Sequence, residues 1–191
     1  MRESTKDATE QVKVATTKTP KTNPKQQTNQ KQAQKAKEAG EVPVGAIVVR
    51  DGVVLGRGYN RRESRQDVTL HAEMIAIRQA CRRLNSWRLD ACDLYVTLEP
   101  CIMCAGAIIQ ARIRTLHYGA DDPKAGACGS LVDLFSLRQN HSVEVRSGLM
   151  AETCSSLLKN FFQRRRTLDK AAGTKGERRR QARDGNSRDL S

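Results

Sequence analysis

Four residues of this 191-residue chain combine into a recognisable piece of chemistry: His71, Glu73, Cys101 and Cys104. His71 and Glu73 stand in a His-Ala-Glu triplet, and thirty residues after His71 comes Pro100-Cys101-Ile102-Met103-Cys104. Pro100 marks the first turn of a helix, where a missing N–H costs nothing. Cys101 and Cys104, three apart, project the same way off that turn. A helix N-terminus lowers a thiol pKa, and the thiolate is the form that holds a metal. His71 opens a second helix and offers an imidazole. One His and two Cys are the donor set of a catalytic zinc, one ion per chain, which keeps a position for water; a structural zinc is normally closed by four protein donors. Such an ion acidifies the water, and the hydroxide becomes a nucleophile. Glu73, two residues past the histidine, is placed to exchange a proton with that water without being a ligand. Taken singly, each residue has a plainer reading. A lone CxxC suits a redox pair, or a structural zinc that Cys128 would close; a lone His or a first-turn Glu is ordinary. The order of the whole constellation sets these readings aside. Cys81, Cys92, Cys128 and Cys154 lack regular spacing and read as small core residues or inert thiols.

The elements that must position these groups follow from pattern. Two β-branched runs, Val44–Arg50 and Val53–Tyr59, flank Asp51-Gly52, a hairpin signal. Leu70–Leu84 has apolar residues at helical spacing, and Asp93–Leu98 reads as a buried strand. Ile102–Ile109 is a buried helix and Arg114–Tyr118 a short strand. Leu131–Leu137 is expected to form one or two helical turns, Val143–Arg146 a last strand, and Ala151–Arg166 a last helix. A hairpin followed by strands separated by helices implies a mixed sheet covered on both faces.

The two ends differ from the middle. Residues 1–40 contain no Leu, Ile, Phe, Trp or Tyr and carry a net charge of +5. Residues 1–28 are expected to be a disordered polar and basic tail, and 29–40 a short first helix docking weakly through Ala33, Ala36 and Ala39. Residues 167–191, at net +3, are a second disordered basic tail, which leaves 41–166 as the folded domain. The whole chain carries +13, with Arg61, Arg62 and Arg65 in one cluster and Arg164, Arg165 and Arg166 in another, the footprint of a polyanion binder. No stretch approaches the roughly 20 apolar residues of a membrane span, and the N-terminus has no apolar run of a signal peptide, so no membrane partner and a cytoplasmic location are expected.

H-x-E…P-C-x-x-C is the signature of zinc nucleobase deaminases, and on these residues the chain resembles the cytidine-deaminase-like superfamily. From Glu41 to about Arg166 it is similar to the bacterial tRNA-specific adenosine deaminases, through EVPVGAIVV from 41, GYN at 58–60, LYVTLEPCIMCAGAI at 94–108, YGADDPKAGACGSLVD at 118–133, NH at 140–141 and NFFQRRR at 160–166. The resemblance implies an α/β fold: a three-layer α/β/α sandwich with a central mixed five-stranded sheet. It implies hydrolytic deamination of adenosine to inosine at the wobble position of a tRNA anticodon, with zinc-held hydroxide attacking C6 and Glu73 shuttling the proton. It assigns Asn60, Val44 and Ala72 to the base pocket and Asp122 to a loop that touches the neighbouring nucleotide. It assigns Phe161, Phe162 and Arg164 to a helix that cradles the anticodon stem-loop, and it implies a homodimer. The departures are at the ends: the family's first helix bears large apolar residues, where this chain has alanines. HAE with PCxxC alone also fits guanine, riboflavin-pathway and nucleotide deaminases. A zinc deaminase of a free base or nucleotide (guanine or cytosine type) is therefore the competing reading, and a noncatalytic, zinc-stapled RNA binder a third.

Overall fold

Asp51 and Gly52 turn the chain through two successive left-handed residues, φ 49° and 80°, the geometry of a two-residue hairpin turn that matches strand twist. The strands it joins are β1 (Gly45–Arg50) and β2 (Val53–Tyr59), paired antiparallel from Arg50↔Val53 to Gly45↔Tyr59. Leu55 is an extra residue in β2, because Val48 pairs with Gly56 while Val49 pairs with Val54. The computed structural model describes residues 24–172, and the remaining elements are α1 (Pro24–Glu38), α2 (Arg62–Arg65), α3 (Ala72–Leu84), β3 (Asp93–Leu98), α4 (Ile102–Gln110), β4 (Thr115–Ala120), β5 (Glu144–Arg146) and α5 (Ala151–Ala171). The sheet order is β2-β1-β3-β4-β5, with β1 antiparallel to β3 and the pairs β3–β4 and β4–β5 parallel. It is the expected mixed five-stranded sheet. Among the described residues no helix is long and apolar enough to cross a membrane.

Strand alternation sorts the core into two faces. Ala46, Val48, Leu94, Val96, Leu116 and Tyr118 join Ala72, Ala76 and Ala80 of α3 and Ile108 of α4 in the larger cluster. Ile47, Val49 and Tyr95 point to the other face, towards α1, and Ala120 packs against Cys154 and Leu158 of α5. This is the three-layer arrangement.

Several boundaries differ from the sequence reading. The first helix begins at Pro24 instead of Asn29, so residues 24–28, expected in the tail, are helical, and the rest of that tail lies outside the described residues. Proline suits a first helical position. Ala33 and Ala36 are fully buried, but Ala39 is exposed. The docking rests on Gly45: a Cβ there would sit 2.5 Å from the Ala33 nitrogen and 2.5 Å from the Asn29 oxygen, so helix backbone lies directly on strand backbone. The last helix continues to Ala171, past the expected end at Arg166, and the remainder of the expected C-terminal tail lies outside the described residues. No helix forms over 131–137. There the Asp133 carboxylate accepts hydrogen bonds from the Phe135 and Ser136 amides at 3.0 and 3.1 Å, and a side chain that serves its own backbone holds a turn instead.

The same close approach fixes α3. A methyl group on Gly58 would collide with the carbonyl oxygen of Ala72, and one on Gly56 with that of Ala76. The first turn of α3 is thereby pressed onto β2, with only hydrogen atoms between. Two buried carboxylates hold the loops around it. Glu99, 2% exposed, accepts from the amides of Asp122 (2.9 Å), Cys128 (2.8 Å) and Ser130 (3.2 Å), and Gly126 packs so tightly on it that no side chain fits. Burial works against the charged form of Glu99, and these hydrogen bonds outweigh it, so its pKa lies below the ordinary value. Glu41, 1% exposed, accepts from the Ser64 amide at 2.7 Å, the Glu63 amide at 3.3 Å and the Asn60 side-chain amide at 3.4 Å.

Three outcomes follow from this packing. Gly58→Ala should lower stability by about 2 kcal/mol and Tm by roughly 4–8 °C. Gly106→Ala, within α4 and with open space around its Cβ position, should raise stability by about 0.5–1 kcal/mol; paired thermal melts read both signs. Glu99→Ala should accelerate hydrogen exchange at the Asp122, Cys128 and Ser130 amides at least about tenfold, because bonds to a charged acceptor are the strong ones. In the unmodified chain the same protection is present above the ordinary carboxylate range and is lost as the pH falls through the depressed value of Glu99.

Candidate metal centre and base pocket

Both segments that carry the candidate metal donors are strand- or loop-to-helix junctions. His71 is the N-cap residue of α3, with φ −73° and ψ 155°, and Cys101 is the N-cap of α4, with φ −75° and ψ 171°. Neither side chain caps its own helix, so each is free to turn towards the other junction. The result is convergence. His71 Nδ1 lies 3.6 Å from Cys101 Sγ and 3.5 Å from Cys104 Sγ, and the three donor atoms all lie within 4.8 Å of one another. Cys104 is fully buried, and the other two are half-buried.

This donor set fits a zinc ion. Zinc–nitrogen bonds of 2.0–2.1 Å and zinc–sulfur bonds of 2.3 Å at a tetrahedral angle place N and S about 3.5 Å apart. The electrostatics favour thiolate. A hydrogen bond from the Cys104 thiol, and the neighbouring His71, bring the pKa of Cys101 down to about 4 against the effect of burial. Cys104, which gives that hydrogen bond from a buried position, is pushed up. Two helix N-termini meeting here add positive potential from both sides. Cys128 is not part of the group: its thiol is half-buried and pushed up by burial, and its backbone nitrogen serves Glu99.

Glu73 sits in the first turn of α3, 4% exposed. Burial raises its pKa, opposed by a backbone hydrogen bond, by the charge of the nearby His71 and by the Cys104 thiol. Asn60 is buried at the end of β2; its backbone nitrogen donates to the Val44 oxygen at 3.1 Å and its side-chain amide donates to Glu41. Val44 and Ala72 are buried in the same cluster. The three residues expected to form the base pocket thus gather at the N-terminus of α3. Asp122 is half-buried, and its Oδ1 accepts from the Lys124 and Ala125 amides at 3.0 and 3.3 Å, in the loop anchored by Glu99.

Phe161 and Phe162 meet edge to face, with centroids 5.5 Å apart and planes at 76°. Phe161 is half-buried, while Phe162 and Arg164 are exposed. They lie on α5 beyond its contact with the sheet through Cys154 and Leu158, and the structure does not bring them into the metal-donor group.

Sequence reading missed two residues that organise this centre, Glu41 and Glu99. Each had a signal. Glu41 precedes Val-Pro-Val and Glu99 stands between Leu98 and Pro100. A lone acid enclosed by strand-forming and proline residues points inward and needs several donors.

Comparison with known proteins places the chain. A family model described as MafB19-like deaminase matches residues 22–166. A tRNA-specific adenosine deaminase of Bacillus subtilis is 48% identical over 143 residues, 74% of this chain and 89% of the relative. One of Agrobacterium fabrum is 50% identical over 139 residues, covering 72% and 91%. A solved structure from work on A-to-I editing by tRNA:A34 deaminases aligns with a TM-score of 0.68 at 48% identity, covering 70% of this chain and 98% of that one. A guanine deaminase from Nitrosomonas europaea, at 24% identity and a TM-score of 0.61 over 72% of this chain and 82% of the other, shares the fold. By its length of match and its identity, the chain belongs to the MafB19-like deaminases and, within them, to the tRNA-specific adenosine deaminases.

Proposed function

We propose that this protein hydrolyses adenosine to inosine and ammonia at the wobble position of tRNA anticodons. The observation that carries the reading is the buried Glu73 carboxyl beside a His71–Cys101–Cys104 donor set, with Asn60 completing the pocket wall. His71, Cys101 and Cys104 hold one zinc ion, which when bound makes a coordinated water acidic enough to serve as nucleophile near neutral pH. Glu73 takes a proton from the attacking water and delivers it to N1 of the purine ring as C6 becomes tetrahedral. It then passes the second water proton to the leaving amine, so that water and adenosine become inosine and ammonia. Burial suits Glu73 to this exchange, because a carboxyl raised above its ordinary value gives and takes protons more evenly near neutrality.

Asn60, Val44 and Ala72 receive the base. The carboxylate of Glu41 only accepts hydrogen bonds, so it fixes which end of the Asn60 amide it holds and leaves Oδ1 and one N–H for the substrate. An anticodon loop offers unstacked bases that are swung out at modest cost. Asp122 borders the neighbouring nucleotide, and Phe161, Phe162 and Arg164 contact the stem-loop, the phenylalanines by stacking and the arginine at phosphate. The working form is a cytoplasmic homodimer. In support, Ile102, Leu131 and Val132, 54%, 55% and 41% exposed, are carried by the two segments next to the metal donors, where a second copy would cover them.

Zinc-loaded protein incubated with an arginine tRNA bearing adenosine at the wobble position should yield inosine, read by mass spectrometry. Glu73→Gln should retain zinc and lose about 10²–10⁴ in kcat. His71→Ala and Cys101→Ala should lose zinc and activity together. Equal loss of zinc in all three variants would remove Glu73 from its role. Ammonia released from guanine or a free nucleotide, with none from tRNA, would assign the site to the competing deaminase reading.

A further inference from the structure

A cavity of about 220 Å³ opens between the α2 segment and α3, lined in part by Leu70 and Ile75 at the two sides of His71 in the chain. Four arginines line it, Arg61, Arg65, Arg78 and Arg82, with Gln79 beside them and Leu70 in its wall. Arg78 and Arg82 are one helical turn apart on α3, while Arg61 and Arg65 come from the α2 segment across from it. Among the described residues none of the four pairs with a carboxylate, whereas six other arginines do. Of the acids nearest in sequence, Glu63 pairs with Arg62 at 2.8 Å, and Asp67 accepts from the Thr69 amide and hydroxyl at 2.8 and 2.7 Å and feels the Arg78 charge only at longer range, outside ion-pair distance. Four like charges around one concavity repel one another and are stabilised by an anion between them.

The donors are also held in place. The Arg61 guanidinium lies over the Tyr59 ring, 4.5 Å from its centroid, and donates to the Tyr59 hydroxyl. Gln79 accepts from the Arg57 amide at 3.0 Å through its side-chain oxygen, which leaves its NH₂ group as a donor. The Arg61 amide donates to the Leu70 carbonyl at 3.0 Å, which clamps the two walls. Arg61 follows Asn60 in the chain, and Leu70 precedes His71. A base seated against Asn60 therefore has its own backbone next to this rim.

We propose that the cavity is a phosphodiester site for the RNA strand that carries the target nucleotide, its guanidinium groups forking onto a backbone phosphate. The inference rests on the tRNA-deaminase reading above and adds to it a second, sequence-independent contact. Guanidinium geometry matches phosphate oxygens in pairs, so the site fixes the position of the strand and leaves the choice of base to the pocket.

The test uses full-length, zinc-loaded protein and a fluorescent anticodon stem-loop titrated at several salt concentrations, beside steady-state inosine formation. Arg78→Gln combined with Arg82→Gln should weaken binding about tenfold and reduce the slope of log K against log salt by about 1. Its kinetic effect should fall on KM and not on kcat. Arg88→Gln, which removes one charge from an arginine paired with Asp90, is the control and should leave the slope unchanged. Unchanged affinity and slope in the double variant overturn the site. Displacement of the stem-loop by micromolar inorganic phosphate, or an altered sedimentation mass of the double variant, overturns it too, by assigning the cavity to a free anion or to contact between copies. If the wild type forms no inosine while the double variant still lowers affinity and slope, the deaminase reading fails and the phosphate site stands.

Discussion

The centre depends on one constraint, the meeting of two helix N-termini at hydrogen-bond distance. An imidazole and two thiols can approach within 3.5–3.6 Å only if α3 and α4 begin at the same point in space and aim their first turns at each other. The sheet enforces this. β3 leads directly into the α4 junction through Glu99 and Pro100, and α3 is pressed onto β2 through Gly56 and Gly58. Burying ionisable groups together is unfavourable unless they neutralise one another or share protons. The N-terminal dipoles and the mutual hydrogen bonds of His71, Cys101 and Cys104 meet that demand, and the backbone keeps the donors from drifting apart.

Around this point a set of buried carboxylates divides the labour. Glu73 is buried beside the His71–Cys101–Cys104 group, and burial raises its pKa against a backbone hydrogen bond and the His71 charge. Glu99 is surrounded by backbone amides and lies below the ordinary value. The two acids belong to the same family of side chain, and their surroundings shift them in opposite directions, Glu73 up and Glu99 down. Glu41 resembles Glu99 in its geometry, for it gathers two backbone amides and the Asn60 side chain. Removing the carboxyl group of either Glu41 or Glu99 would strand several donors at once, which makes them supports of the surrounding loops and not mere fillers.

The sequence carried the chemical groups and the central elements well because they rest on local signals. Asp93–Leu98 carries Leu94, Tyr95, Val96 and Leu98 over a strand's length and is ended by Glu99-Pro100, and it is β3 to the residue. HAE and PCxxC lie where apolar periodicity begins, and both prove to be helix starts. What was not legible depends on partners distant in the chain. The segment from Pro24 looks too polar to fold, and its helix stands because Gly45 lets Ala33 and Ala36 lie flat on β1. The 131–137 segment looks helical by composition, but Asp133 satisfies the amides of Phe135 and Ser136 locally, and the Gly126 oxygen takes those of Leu131 and Val132. Glu41 and Glu99 were visible only as odd acids, since their donors lie 19–31 residues away.

A positively charged chain that attracts any RNA must still single out one base. Asn60, Val44 and Ala72 are buried as one group at the start of α3, where Gly58 lets helix backbone lie directly on β2. The arginines stand outside this group, on the exposed stripe of α3 and on the short α2 segment. Charge attracts any nucleic acid and falls off with salt, whereas a rigid apolar slot rejects a base by shape. With the proposed phosphate contacts on the exposed surface and the base contacts among buried residues, RNA can be captured broadly without loosening the buried group. Glu73 itself is 4% exposed, buried among these residues at the start of α3.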